Sequence, residues 1–130
     1  MSGHWVWIAI EVALAAHAEQ LAEHGGGEGV RDLGLLESAM ARSRNLADYG
    51  EPDAAAFAAA YAFGIARNHP FVDGNRRTAA VIGETFLALN GYGLDASDAE
   101  LVVAILALAA GELAEDELAD WFRAHLGDAR

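Results

Sequence analysis

The stretch HPFVDGNRRTA, His69 to Ala79, gathers His69, Asp73, Gly74, Asn75, Arg76 and Arg77 within nine residues. A loop that enters a helix presents free backbone N–H groups and the positive end of a dipole, which is an anion site. Gly74 lets the backbone approach a phosphate closely, and Asn75 can offer an amide N–H at the same place. Arg77, in the first turn of the following helix, can fork onto phosphate oxygens. Asp73 supplies one hard oxygen, suited to Mg²⁺ held mainly by phosphates and water. The unperturbed pKa of a histidine is about 6.5, so His69 suits a general base at neutral pH. A base, a metal ligand, an anion cradle and a charge clamp together describe phosphate-ester chemistry. Singly, each has a plainer role: Asp-Gly is an ordinary turn dipeptide, and two arginines can be a solvated helix face. Their convergence in one turn favours the chemical reading, while Pro70 and Phe71 are assigned to structure, as helix breaker and core anchor.

The elements that must position this turn are helical, because apolar residues recur at helical spacing almost throughout. A first helix is predicted from about Ala9 to His24, with Ile10, Ala13, Leu14, His17 and Leu21 on one face. HGGGEGV must then be a loop, since its glycines forbid a stable helix. It lacks the Lys-Ser/Thr ending of a phosphate-binding P-loop and carries Glu28 instead. Asp32 is the expected N-cap of a second helix to about Arg44. Pro52 suits the first turn of a third, in which Phe57, Tyr61 and Ile65 align. His69-Pro70 ends that helix. A fourth starts near Asn75 and runs to Asn90-Gly91, with Ile82, Phe86 and Leu89 as its inner stripe. Ser97 and Glu100 form a capping box for a fifth, which is apolar nearly all round and is therefore expected at the centre. Glu115, Asp116 and Glu117 suit the first turn of a sixth, with Leu118, Trp121, Phe122 and His125 facing inward. Only Trp5 to Ile8 reads as extended, so a small β element is expected there or at the glycine loop. The expectation is one all-α domain over residues 1–130.

Composition narrows the function. The formal net charge is −12. Such a field repels nucleic acid backbones and anionic membranes, so no direct nucleic acid contact is expected. No run reaches the roughly 18 apolar residues of a membrane span. A basic leader is missing and cysteines number 0, which predicts a cytoplasmic protein. No histidine pair has zinc spacing. His17 is read as a satisfied core histidine, His24 and His125 as helix-end residues, and Trp5, Trp7 and Trp121 as core or partner contacts.

HPFVDGNRRTA resembles the motif of the Fic/Doc superfamily, whose Fic form reads HPFxxGNGRxxR. The Doc (death-on-curing) form has lysine after the asparagine and then Arg-Thr-Ala. His69, Pro70, Phe71, Gly74, Asn75 and Arg77 match the Fic pattern, and Asp73 with Arg77-Thr78-Ala79 matches Doc. HAEQLAEHGG, GLLESAMAR and AYAFGIARNHPF extend the likeness to Doc-type toxins over nearly the whole chain. The resemblance implies a helical Fic/Doc fold of about six helices, an ATP·Mg²⁺ site, and transfer of part of ATP to a protein hydroxyl. By the same resemblance His69 deprotonates the hydroxyl, Asp73 holds or orients the metal, and Gly74 to Arg77 bind phosphates. Arg67 matches an arginine of Doc proteins and would position substrate or phosphate. The glycine loop would be a flap. Doc toxins phosphorylate a translation factor, elongation factor Tu, and are restrained by a small Phd-like antitoxin.

Two positions depart from the pattern. Arg76 stands where Doc has lysine and Fic transferases have glycine, and Ala80 stands where the transferases have a second arginine. Both favour a Doc-type protein kinase over AMP transfer, and Arg76 leaves a third reading, a catalytically silent binding module. Neither Ser97 nor Thr85 is followed four residues on by the glutamate of the inhibitory helix that some Fic proteins carry. Restraint is therefore expected from another chain, as an amphipathic segment in a groove.

Overall fold

The computed structural model describes residues 4–128. Six helices and one two-stranded antiparallel sheet follow in the order α1 (Ile10–His24), α2 (Leu33–Leu46), α3 (Ala54–Asn68), α4 (Asn75–Leu89), β1 (Tyr92–Leu94), α5 (Asp98–Ala109), α6 (Glu115–Ala124) and β2 (Leu126–Asp128). The all-α expectation holds.

Caps decide most boundaries. Gly25, at φ 76°, ends α1 and returns its N–H to Leu21 O. The Asp32 carboxylate accepts from Leu35 N at the start of α2. Ser97 and Glu100 make the expected reciprocal box on α5. At α3, however, the cap is Asp53, accepting from Ala56 N, and Pro52 precedes the helix rather than entering it. A side-chain acceptor satisfies an orphan N–H, which proline in the first turn cannot do.

α3, not α5, is the central helix. It packs against α2, α4, α5 and α6, and eleven of its fifteen residues are buried, from Ala54 to Ala66. Alanines allow this: a Cβ added at Gly64 would lie 2.9 Å from Ala39 Cα, so α2 and α3 nearly touch backbone to backbone. α5 is more hydrophobic but peripheral, burying Leu101, Ala104, Ile105 and Leu108 and exposing Val103 and Leu106. Small size, not hydropathy, selects the middle of this molecule. On α4, Ile82 and Phe86 face inward as expected, but Leu87 is buried and Leu89 is 47% exposed. On α6, Leu118, Ala119 and Phe122 form the buried face, with Trp121 and His125 half-buried at its edge.

The β element lies elsewhere than expected. Tyr92, Gly93 and Leu94 pair with Asp128, Gly127 and Leu126. The segment Trp5–Ile8 is irregular because side chains take its backbone groups. Asn90 accepts from Val6 N (2.8 Å) and donates to Val6 O (3.0 Å), and Tyr61 Oη accepts from Ile8 N (3.0 Å). Trp5 and Trp7, both partly buried, pack on Phe57 and Phe86 at the edge of the core.

Candidate active site

The site is built where α3 stops and α4 starts. His69 caps α3 in the left-handed conformation (φ 49°, ψ 55°) and is the one non-glycine residue with positive φ among the described residues. That conformation costs a residue with a Cβ roughly 1–2 kcal/mol, and the following proline bars the helical alternative. Phe71 is 1% exposed and stacks on His17 with ring centroids 3.8 Å apart. His17 Nε2 lies 2.7 Å from Asp73 O. A carbonyl only accepts, so this nitrogen carries the proton. His17 is thus the satisfied buried histidine expected of it, and it clamps the motif loop.

Gly74, at φ 77°, is the N-cap of α4 and supplies no side-chain acceptor. The N–H groups of Asn75, Arg76 and Arg77 are therefore left to an external acceptor at the positive end of α4. Asp73 Oδ1 accepts from Gly74 N (2.8 Å), and Oδ2 accepts from Gly27 N (3.3 Å). Each oxygen keeps a second lone pair.

Asn75 differs from expectation. Its Oδ1 accepts from Phe71 N and its Nδ2 donates to Phe71 O, both at 3.0 Å, and the residue is buried. The side chain closes the turn instead of reaching out as an amide donor. Only its backbone N–H remains for an anion.

His69, Asp73, Gly74, Asn75, Arg76 and Arg77 all line one pocket of about 360 Å³, walled on the far side by Val102 and Leu106 of α5. Arg77 also lines a neighbouring hollow of about 280 Å³ beside α1, where its Nη1 donates to His24 Nε2 at 3.2 Å. Arg67 is not brought into the His69 pocket: its guanidinium lies 5.4 Å from the Phe63 ring centre. The larger hollow of about 720 Å³ beside α2 and α6 lies away from this chemistry. Its arginines are already paired, Arg42 with Glu115 and Arg123 with Asp53 and Asp120.

The glycine loop runs beside the motif. Val30 bridges Phe71, and a Cβ at Gly26 would come within 2.8 Å of Asp73 Oδ2. Sequence reasoning missed Arg31, which donates to His69 O and Asn68 O. Its pattern carried no signal, since a lone arginine before a helix cap is commonplace.

Among the described residues no three His, Cys, Asp or Glu side chains cluster as a metal site. An uncapped helix N-terminus, a left-handed glycine, two arginines and one carboxylate fit a phosphate group accompanied by a mostly hydrated cation.

The sequence model of the Fic/DOC family matches residues 7–87, which include the core of this turn. The chain belongs to the Fic/DOC family. It is 32% identical over 123 residues to "Protein kinase doc" of Escherichia phage P1, covering 94% of this chain and 97% of that protein. It is also 47% identical over 75 residues to "Toxin Doc" of Mycolicibacterium smegmatis, a match over 55% of this chain and 57% of that relative. The second match thus spans little more than half of the relative's length.

Proposed function

We propose that this chain is the toxin of a toxin–antitoxin pair and a Doc-type protein kinase that moves the γ-phosphoryl group of ATP to a hydroxyl of a protein. The observation that carries the reading is the shared pocket: His69 lines it together with Asp73, Gly74, Arg76 and Arg77 at the uncapped start of α4. The names of the two relatives, a toxin and a protein kinase, point the same way. Bound Mg²⁺, held by Asp73 and phosphate oxygens, would neutralise charge on the phosphates.

The residues divide the work. The N–H groups at Asn75, Arg76 and Arg77 hold the terminal phosphate, and Arg77 neutralises its charge. Neutral His69 accepts the proton of the target hydroxyl as its oxygen bonds to the γ-phosphorus. The bond from that phosphorus to the bridging oxygen breaks, and ADP leaves. Arg76 lines the same pocket, which supports γ- over α-phosphate attack, because its side chain occupies room that glycine leaves open. Ala80 is buried and contributes no second clamp.

The acceptor is proposed, from the resemblance alone, as a hydroxyl of a translation factor such as elongation factor Tu. A Phd-like antitoxin would restrain the enzyme in the cytoplasm. No helix among the described residues is long and apolar enough to cross a membrane. The deciding experiment supplies γ- or α-labelled ATP with Mg²⁺ to a lysate of translating cells. Label is expected on protein from the γ position and none from the α position. Transfer from the α position would replace the reading with AMP transfer. No transfer from either, with folded protein free of antitoxin, would favour the silent binding module.

A further inference from the structure

The chain after the glycine loop runs alongside the motif. Val72 N donates to Gly29 O, and the N–H groups of Arg31 and Asp32 both donate to Pro70 O, at 2.7 and 3.0 Å. This lays Arg31 across the end of α3. Its Nε donates to His69 O at 2.7 Å and its Nη2 to Asn68 O at 2.9 Å. One guanidinium therefore satisfies two consecutive carbonyls that the helix leaves without intrahelical partners, at the negative end of its dipole. The second of those carbonyls belongs to the strained residue. His69 is held on one side by its own N–H on Ile65 O at 3.2 Å, and on the other by Arg31. Its imidazole makes no hydrogen bond among the described residues. The backbone is therefore the part of His69 that the structure holds in place, at the edge of a pocket the residue lines. Arg31 itself is exposed and lines neither pocket at the motif.

We infer that Arg31 is a positioning residue for the reaction: its fork holds the His69 backbone left-handed, so that the imidazole faces the terminal phosphate site at the start of α4. The inference rests on the reading of His69 as the base. Only an arginine spans both carbonyls at once, because a lysine is a point donor on a flexible stem.

The test compares wild type, Arg31→Ala and Arg31→Lys by steady-state phosphoryl transfer from ATP, by thermal melting and by the NMR Cα shift of His69, which separates the left-handed backbone from the extended one that a following proline allows. For Arg31→Ala, kcat is expected to fall about 10²-fold, the scale of a small misplacement of a reacting group. KM for ATP should hold, since the phosphate cradle is untouched, and the His69 shift should leave the left-handed range. Arg31→Lys should recover part of kcat. Wild-type kcat in Arg31→Ala, or a loss of kcat with the His69 shift unmoved, overturns the inference. Should Arg31→Ala not fold, Arg31→Lys decides: reduced kcat at constant KM supports the role, and wild-type kcat overturns it. Should wild type transfer no label, the kinase reading fails separately. The His69 shift in the variants still decides what Arg31 holds.

Discussion

His69 serves two ends with one residue: its backbone stops α3 and the residue lines the pocket. Those ends separate on mutation. His69→Ala keeps a Cβ and the same backbone cost, and it removes an exposed imidazole without a hydrogen bond among the described residues. Its melting temperature should stay near wild type while phosphoryl transfer falls about 10²–10⁴-fold, the usual worth of a general base. Phe71→Ala should do the reverse. The ring is 1% exposed and stacked on His17, so truncation should cost roughly 3–5 kcal/mol. Parallel melts and transfer assays check both. A large melting loss in His69→Ala beside a stable Phe71→Ala would show the roles exchanged. At this scale, residue types within one turn were legible, because chemistry concentrated in nine neighbours is visible without a fold. Their supports were not. His17 reaches Asp73 O and Arg31 reaches His69 O from far back in the chain, and nothing local marks those partners.

Among the elements, helix starts with a side-chain acceptor were readable, as Asp32 and Ser97 show, because capping is local. The order of burial was not. Hydropathy ranks α5 above α3, but closeness of packing ranks the alanines of α3 first, and a hydropathy pattern does not count volume. Strands of three residues such as Tyr92–Leu94 and Leu126–Asp128 are too short for an alternating pattern to show. Asp53 ties two elements together, capping α3 and pairing with Arg123 of α6 at 2.7 and 2.9 Å. The hydrogen bonds from Arg123 hold its pKa below the ordinary value of 3.8, against a smaller opposing effect of burial. A lowered carboxylate pKa contributes stability that is present above the unfolded value and lost as pH falls through the folded one. Asp53→Asn keeps the cap oxygen and loses the charge. It should cost less than about 1 kcal/mol at neutral pH, since the pair is solvent-exposed. That difference should begin to shrink as pH falls toward about 3.8 and vanish below the lowered pKa of the folded state. Asp53→Ala, which also loses the cap, should cost about 1 kcal/mol more. Denaturant titrations at neutral and acidic pH check both, and a gap between wild type and Asp53→Asn that widens on acidification would contradict the assignment.

For the whole molecule the governing quantity is charge, with 20 acidic residues against 8 basic ones, all of them arginines. The field of such a surface also acts on the chain itself, since a large net charge destabilises the compact state by self-repulsion. Against it stand a few local pairs, Arg42–Glu115, Arg123–Asp53 and Arg123–Asp120. Salt weakens both contributions, but not equally. A chain of this length has a radius of gyration of about 14 Å. At about 0.01 M ionic strength the Debye length is roughly 30 Å, so every charge in the fold feels every other. At about 0.15 M it is roughly 8 Å, and only neighbours still interact. Bidentate pairs in contact survive that change better than repulsions spread across the surface. The excess of acids outnumbers the pairs, so screening should remove more destabilisation than stabilisation. The melting temperature is expected to rise as sodium chloride is raised between those limits, and to rise in Arg123→Ala as well, which lacks two of the pairs. Calorimetry at fixed pH reads the slope. A falling melting temperature in wild type that reverses in Arg123→Ala would show that the local pairs, and not the net charge, govern the stability of this fold.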